Sequence, residues 1–136
     1  MSPLAANGPD TKLAGLVWLD QDPTSADLVW AVTDQTTGVT CRTSVTHAGA
    51  ADAQRLARDV DAGTVVVDGT YSCPMDDGSW MGIYSHTARG TQVAVVRLSG
   101  CRFIAGPGRK ARFGTDQLWS DLARLAPAFV APRLDG

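Results

Sequence analysis

The sequence predicts an α+β fold, in which a mostly antiparallel β-sheet of about five to six strands carries two helices on one face. Short runs rich in Val, Thr and Trp alternate with turn residues, as in strands joined by hairpins. Two longer segments have apolar residues at helical spacing. The chain of 136 residues is long enough for one hydrophobic core, so both helices are expected to cover the same sheet.

The first half of the chain contains three strand-like runs. Residues 13–19 form a continuous apolar run of strand length. Residues 28–32 and 39–45 are separated by polar turn residues and predict a hairpin. Residues 1–12 have little to bury and predict a flexible N-terminal tail before a single domain that spans 13–136.

Helical spacing begins after the second strand of this hairpin. The apolar residues that recur at positions i, i+3, i+4 and i+7 are Ala53, Leu56, Ala57 and Val60. Charged residues take the other sides, and Gly63 suits a C-terminal cap. The pattern predicts an amphipathic helix, followed by a strand at 64–67.

The second half predicts another hairpin and another helix. Residues 80–84 and 92–98 alternate as strands do, and the polar residues between them can turn the chain. A short strand is expected at 103–105. Thr115 is a good N-cap, and leucines follow it at helical spacing until Pro127, where the helix is expected to end.

Composition and charge exclude several classes of protein. The chain is 44% apolar and 19% charged, which is typical of a globular domain rather than a disordered chain. Its formal net charge is -2, so no nucleic-acid partner is expected. No apolar run approaches the roughly 18 residues needed to cross a bilayer. No motif indicates a cofactor, and the sequence does not indicate an oligomeric state.

The three cysteines, Cys41, Cys73 and Cys101, indicate one structural link. Cys73 and Cys101 lie just outside the two open ends of the second predicted hairpin, so a disulfide across its mouth is geometrically reasonable. Such a link would stabilise the fold by about 3 to 4 kcal/mol in the chain-entropy model. Cys41 is then expected to be a small buried residue of its strand. The alternative is three reduced thiols in a cytoplasmic protein.

A metal site and a reactive thiol are weaker interpretations of the same cysteines. They lack CxxC spacing, and a fourth zinc ligand would have to come from His47 or His86. The acidic pair Asp76-Asp77 beside Cys73 disfavours a thiolate. We therefore predict no metal site.

Short motifs give the chain a resemblance to a known group of proteins. Val39-Thr40-Cys41, an alanine-rich helix, "CPMDDG" at 73–78 and "GC" at 100–101 occur in that order. This order resembles small extracytoplasmic domains of actinobacteria with a CPxDDG and GC pattern, in which the last two cysteines commonly pair. The resemblance implies an extracytoplasmic or secreted domain that binds or senses a protein or cell-envelope ligand.

That location requires a targeting segment. The first ten residues lack the basic and apolar regions of a signal peptide, so we expect a signal or an anchor outside these 136 residues. A cytoplasmic protein of unknown function is the alternative.

The same order is also similar to the Streptomyces subtilisin inhibitor family, over residues 28–101. Members carry a strand ending in Cys, a helix, a "CPM" reactive loop and a later Cys paired to it. The resemblance implies that Met75 enters a protease specificity pocket and that Met75-Asp76 is the scissile bond. No Cys lies between Cys41 and Cys73, however, and Asp76-Asp77-Gly78 predicts a tight turn rather than an extended loop. Serine protease inhibition is therefore an alternative function.

The first candidate surface is the loop that follows Cys73. Met75, Asp76, Asp77 and Trp80 form this candidate binding loop. Core packing is the first interpretation of the tryptophans. Trp80 beside the Asp-Asp-Gly turn would alternatively be a partly exposed aromatic anchor, as is common at protein interfaces.

The second candidate surface is the one basic cluster. Arg109, Lys110 and Arg112 surround a Gly-Pro-Gly loop before the second predicted helix. The N-terminus of that helix would help them to hold an anion. The alternative is a solvated basic loop.

The sequence contains no convincing catalytic set. His47 or His86 would supply a base and Ser44, Ser85 or Cys41 a nucleophile, but no recognised spacing supports this. We expect two solvated loop histidines, no catalytic residues and a protein that is not an enzyme.

Overall fold

The computed structural model describes residues 19–34, 36–65, 78–99, 101–105 and 111–134. These residues form seven strands and three helices, so the predicted α+β class is confirmed. In chain order the elements are β1 (Ser25–Thr33), β2 (Thr40–Ala48), α1 (Ala50–Asp61), β3 (Thr64–Val65), β4 (Ser79–Thr87), β5 (Gly90–Arg97), β6 (Phe103–Ala105), β7 (Arg112–Phe113), α2 (Asp116–Leu125) and α3 (Pro127–Leu134).

All described strands belong to one antiparallel sheet, in the order β2-β1-β4-β5-β6-β7-β3. Both predicted hairpins are present as β1–β2 and β4–β5. Strand β1 also pairs with β4 along eight residue pairs, from Ser25↔His86 to Val32↔Ser79. The four long strands therefore form a continuous platform at one side of the sheet. The two-residue strand β7 was not indicated by the sequence, because two residues cannot show an alternation.

The helices pack on one face of the sheet, which we call the helix face. In α1 the four apolar residues predicted to face the core are buried. Helix α2 begins after Thr115, whose hydroxyl accepts a hydrogen bond from the backbone N–H of Leu118 at 3.2 Å. Each large aliphatic side chain buried in this core contributes about 1.5–3 kcal/mol of transfer free energy. The buried core residues are Leu19, Leu28, Leu56, Ala57, Val60, Met81, Ile83, Ala94, Val96, Leu98, Ile104, Leu118, Leu122, Ala126 and Val130.

The second helix ends before Pro127, as the sequence predicted, but a third helix that the sequence did not indicate follows it. Helix α2 ends at Leu125, the backbone breaks at Ala126, and α3 begins at Pro127 itself. Proline is accepted in the first turn of a helix because the N–H that it lacks has no intrahelical acceptor there. The third helix adds Val130 to the core and places the ring of Phe129 5.2 Å from that of Trp30.

The opposite face of the sheet, which we call the distal face, has a small apolar centre. Ala31, Trp80, Val93 and Val95 are buried there, and Tyr84 packs against them. Gly82 makes room for the two aromatic rings. A Cβ at residue 82 would lie 2.7 Å from Cε1 of Tyr84 and 3.1 Å from Cζ3 of Trp80.

Two predictions of domain organisation remain open. The tail predicted at 1–12 and most of the strand predicted at 13–19 lie outside the described residues. Leu19, the last residue of that run, is buried in the core. In the part of the chain that the structure describes, every helix is too short or too polar to cross a bilayer.

Candidate functional site

Polar side chains cluster at one end of the distal face, where β1 begins and β2 and β4 end. The two carboxylate oxygens of Asp27 contact two different imidazoles. Oδ1 lies 2.7 Å from Nδ1 of His47, and Oδ2 lies 2.7 Å from Nε2 of His86. The other ring nitrogen of His86, Nδ1, lies 2.9 Å from the hydroxyl of Thr91. We call Asp27, His47, His86 and Thr91 the histidine cluster.

A register shift in the first hairpin places His47 in this cluster. Ser44 pairs with Val29, but Thr46 pairs with Leu28, so Val45 is an extra residue in β2. Without this bulge, strand alternation would put Thr46 on the distal face and His47 on the helix face. With the bulge, the hydroxyl of Thr46 donates to the carbonyl oxygen of Leu125 at 2.8 Å, and His47 faces Asp27.

The second hairpin positions the other half of the cluster. His86 and Thr91 are direct partners across β4 and β5. Asp27 pairs with Tyr84, two residues before His86 on the same face of β4, so its carboxylate reaches His86 diagonally. The cluster therefore joins four adjacent strands of the platform.

The hydrogen-bonding roles follow from the charge of Asp27. An ionised carboxylate only accepts hydrogen bonds, so Nδ1–H of His47 and Nε2–H of His86 donate to it. Partial burial alone raises the pKa of Asp27, but the hydrogen bonds and charges of the two histidines outweigh this. The pKa of Asp27 is therefore below its ordinary value of 3.8, and the carboxylate is ionised at neutral pH.

His47 is the most exposed member of the cluster. Its side chain is 67% exposed, against 36% for Asp27 and 35% for His86. Within the described parts of the chain, the second ring nitrogen of His47, Nε2, has no recorded hydrogen-bond partner. This nitrogen can contact a ligand while Nδ1 remains held by Asp27.

The segment before β1 is tied to the same end of the sheet. The backbone N–H of Asp20 donates to Oε1 of Gln92 at 2.7 Å, and that of Thr24 donates to the carbonyl oxygen of His86 at 2.8 Å. The carboxylate of Asp20 forms an ion pair with the exposed guanidinium of Arg89. The bond from Thr24 ties this segment directly to a strand of the cluster.

The prediction that the two histidines lie in loops is wrong, whereas the solvent exposure predicted for them holds for His47. His47 lies in β2 and His86 in β4, and they share one carboxylate. Spacing could not reveal this, because Asp27 is 20 residues from His47 and 59 residues from His86 along the chain. Only the strand pairing brings the three side chains together.

Trp80 is a core residue rather than an exposed anchor. It is 7% exposed and packs with Ala31, Val93 and Val95 on the distal face. The guanidinium of Arg42 lies 5.5 Å from the centre of a Trp80 ring. The other members of the predicted binding loop, Met75, Asp76 and Asp77, lie outside the described residues, so their role stays a prediction.

Arg112 has a structural role in the fold. Its Nη1 donates to the carbonyl oxygen of Asp61 at 2.7 Å and lies 3.3 Å from Oδ1 of the same residue. A further contact of 3.4 Å reaches the carbonyl oxygen of Val60. These oxygens end α1, where a cation compensates the helix dipole. Arg109 and Lys110, which the sequence predicted to form an anion site with Arg112, lie outside the described residues.

The structure describes two of the three cysteines, Cys41 and Cys101. Cys41 is a free thiol in β2 and is half-buried, so the prediction that it is buried is wrong. Cys101 is half-buried between β5 and β6, and Cys73 lies outside the described residues, so the Cys73–Cys101 disulfide stays a prediction. Among the described residues, no group of three or more His, Cys, Asp and Glu side chains is arranged to hold a metal ion.

No protein-family model, curated protein or solved structure matches the chain. The resemblances to actinobacterial extracytoplasmic domains and to the subtilisin inhibitors therefore stay predictions. The histidine cluster, which links side chains of four adjacent strands by hydrogen bonds, is the candidate site.

Proposed function

We propose that the chain is a non-enzymatic binding or sensor domain that works outside the cytoplasm. Its ligand is a protein or a cell-envelope component, and the histidine cluster forms part of the surface that binds it. One observation carries the proposal: a single carboxylate on β1 holds two imidazoles on the two neighbouring strands, and one of them is largely exposed.

The cluster is organised before any ligand arrives. Asp27, His86 and Thr91 are linked by hydrogen bonds and lie on paired strands rather than in loops. Side chains held in this way lose little conformational freedom on binding, so more of the interaction free energy appears as affinity. This favours a surface used for recognition.

The groups available at the cluster indicate a polar ligand. Nε2 of His47 can donate or accept a hydrogen bond, depending on its protonation, and the oxygens of Asp27 can accept one. The carboxylate disfavours a ligand whose negative charge lies directly beside it. A ligand that presents hydroxyl or amide groups, such as a glycan or a peptide, matches these groups best.

The chain of contacts from Thr91 through His86 to Asp27 also has the order of a nucleophile, a base and an orienting acid. Thr91 lies directly opposite His86 in the hairpin, so an ordinary cross-strand pair explains their contact. We therefore assign these residues to the scaffold of a binding surface. Covalent labelling of Thr91 by a fluorophosphonate would contradict this assignment.

The proposal is tested by binding to solubilised peptidoglycan fragments and to soluble envelope proteins from the native source. The His47→Ala variant should lose at least about tenfold in affinity, as expected for losing about 1.4 kcal/mol of polar contacts. Arg97→Ala is the matched control, because Arg97 is exposed on the same face opposite Trp80, away from the cluster. Equal losses in both variants, or no binding to any fraction, would contradict the proposal.

The alternative functions give different results with the same protein. A protease inhibitor would cause a stoichiometric loss of subtilisin activity that depends on Met75. A cytoplasmic protein would show fully reduced thiols in its native cell. Either result would replace the proposed function.

A further inference from the structure

Two buried carboxyl groups meet between α1 and α2. Asp59 on α1 is 7% exposed and Asp121 on α2 is 3% exposed. The two residues lie in the interface where α1 packs on α2, and Arg55, one turn before Asp59 on α1, reaches Oδ1 of Asp121 at 3.9 Å. Oδ2 of each residue is fully buried, and the described residues offer neither of these oxygens a hydrogen-bond donor. Two ionised carboxylates that lack donors in one buried interface repel each other, so a proton shared between them removes the repulsion and supplies the missing hydrogen bond.

We propose that Asp59 and Asp121 share one proton and form a pH-sensitive clamp between α1 and α2, which loosens when that proton is lost. The clamp is separate from the histidine cluster, because the two helices cover the opposite face of the sheet. The inference therefore does not depend on the proposed binding function.

The charged groups around the pair favour one location for the negative charge. Nη1 of Arg55 on α1 lies 3.9 Å from Oδ1 of Asp121, and Nη2 of Arg124 on α2 lies 3.7 Å from the same oxygen. Asp121 therefore holds the negative charge, and Asp59 holds the proton and donates it.

The remaining neighbours modulate this arrangement only weakly. Arg58 on α1 acts on Asp59 through its charge, and Arg124 is also bound to Asp52 of α1 at 2.8 Å. These arginines are largely exposed, so water screens them. Below α1, the nearby strands contribute Ala26 and Ala48, which pack on Ala53 and carry no charge.

The pKa values of the two groups agree with this geometry. Burial, together with the hydrogen bond to Asp121 and its charge, raises the pKa of Asp59 to about 7. Burial alone would also raise the pKa of Asp121. The hydrogen bonds from Asp59 and Gln117 and the nearby arginines outweigh burial, so the pKa of Asp121 is lowered. The pair titrates as one unit with two separated steps.

The sign of the pH effect follows from the raised pKa of Asp59. Between its unfolded value of about 3.9 and its folded value of about 7, the folded chain binds more protons than the unfolded chain. Asp59 makes its full contribution to the stability of the fold below pH about 4, and this contribution is lost as the pH rises through about 7. Above that pH two adjacent buried charges repel each other, and α2 packs less tightly on α1.

The test is urea denaturation of the full chain between about pH 5 and pH 8.5. The unfolding equilibrium constant of the wild type should rise with pH, by up to tenfold per pH unit inside the window. In Asp59→Asn the amide can donate to Asp121 at every pH, so this rise should disappear. Asp116→Asn is the matched control, because Asp116 is exposed in the first turn of α2, and it should keep the wild-type slope.

A second measurement does not depend on any variant folding. Carboxyl 13C titration of the wild type should show one aspartate with a midpoint near pH 7. Amide exchange in α2, corrected for its chemical pH dependence, should be faster at pH 8 than at pH 6. The proposal is overturned if every aspartate titrates below pH about 5.5. It is also overturned if Asp59→Asn folds and keeps the wild-type slope.

Discussion

Asp27 and His47 face each other across β1 and β2 with 2.7 Å between Oδ1 and Nδ1, next to the point where the register of the two strands shifts by one residue. The extra residue, Val45, turns His47 onto the distal face. The same shift leaves Thr46 on the helix face, where it bonds to the end of α2. One bulge therefore links the histidine cluster to the packing of the helices on the other side of the sheet.

Replacing Asp27 should destabilise the fold moderately and change its response to acid. Asp27→Asn removes the charged acceptor of two imidazoles, and we expect a loss of about 1 kcal/mol at neutral pH, because the group is partly exposed. The pKa of Asp27 is lowered in the folded chain, so its contribution is present above pH about 4 and is lost as the pH falls below that value.

Urea denaturation of the wild type and of Asp27→Asn at pH 7 and at pH 3 measures this effect. The difference in the free energy of unfolding between the wild type and Asp27→Asn should be smaller at pH 3 than at pH 7. Ser44→Ala, at an exposed position of the neighbouring strand, is the control and should remain close to the wild type at both pH values. A difference that stays the same at pH 3 would show that the charge of Asp27 does not stabilise the fold.

Gly82 should not tolerate a side chain. In Gly82→Ala the new Cβ would lie 2.7 Å from Cε1 of Tyr84, and the rings on both sides would have to move. We expect a loss of about 1–3 kcal/mol from overpacking and a changed near-ultraviolet circular dichroism spectrum. Gly49→Ala is the control, because nothing lies within 4 Å of the Cβ built there. Equal effects of the two substitutions would count against the close packing of Tyr84 and Trp80.

Arg112 should affect the stability of α1 and not the binding of anions. Arg112→Ala removes the hydrogen bonds to Asp61 at the end of the helix, and we expect a loss of about 1–2 kcal/mol. Amide exchange in the last turn of α1 should become faster. Arg112→Lys keeps the positive charge but lacks the planar guanidinium, so it should lose less stability than Arg112→Ala. If Arg112→Ala leaves the stability unchanged and weakens phosphate binding, Arg112 belongs to the anion site that the sequence predicted.

The predicted disulfide can be tested chemically. In a non-reducing peptide map after thiol alkylation, Cys73 and Cys101 should appear as one linked peptide, and Cys41 should be alkylated because it is a free thiol. Reduction should then lower the stability by about 3–4 kcal/mol. If all three cysteines of protein from its native source are alkylated, the disulfide is absent and the cytoplasmic alternative gains support.

Local patterns predicted the parts of the fold that depend on local physics. The apolar spacing of α1, the N-cap at Thr115 and both hairpins could be recognised because each signal lies within a short stretch of chain. The sequence did not indicate the third helix, because a proline can follow the end of one helix and also stand in the first turn of the next.

The functional features depend on contacts between distant residues, which no local pattern contains. Asp59 has the sequence context of a solvated charge on α1, and only the docking of α2 buries it against Asp121. His47 reaches Asp27 through a one-residue register shift, which leaves no mark in the alternation of β2. Trp80 follows a turn, which left a core position and a partly exposed anchor both open, and its burial with Ala31, Val93 and Val95 shows the core position.

The most direct test of the histidine cluster as a binding surface is a 1H–15N spectrum of the imidazole nitrogens, recorded while solubilised peptidoglycan fragments or soluble envelope proteins are added. Nε2 of His47 should shift on binding, and Nδ1 should keep the signature of a nitrogen hydrogen-bonded to Asp27. Binding that leaves the resonances of both histidines unchanged would place the ligand elsewhere and contradict the proposed role of the cluster.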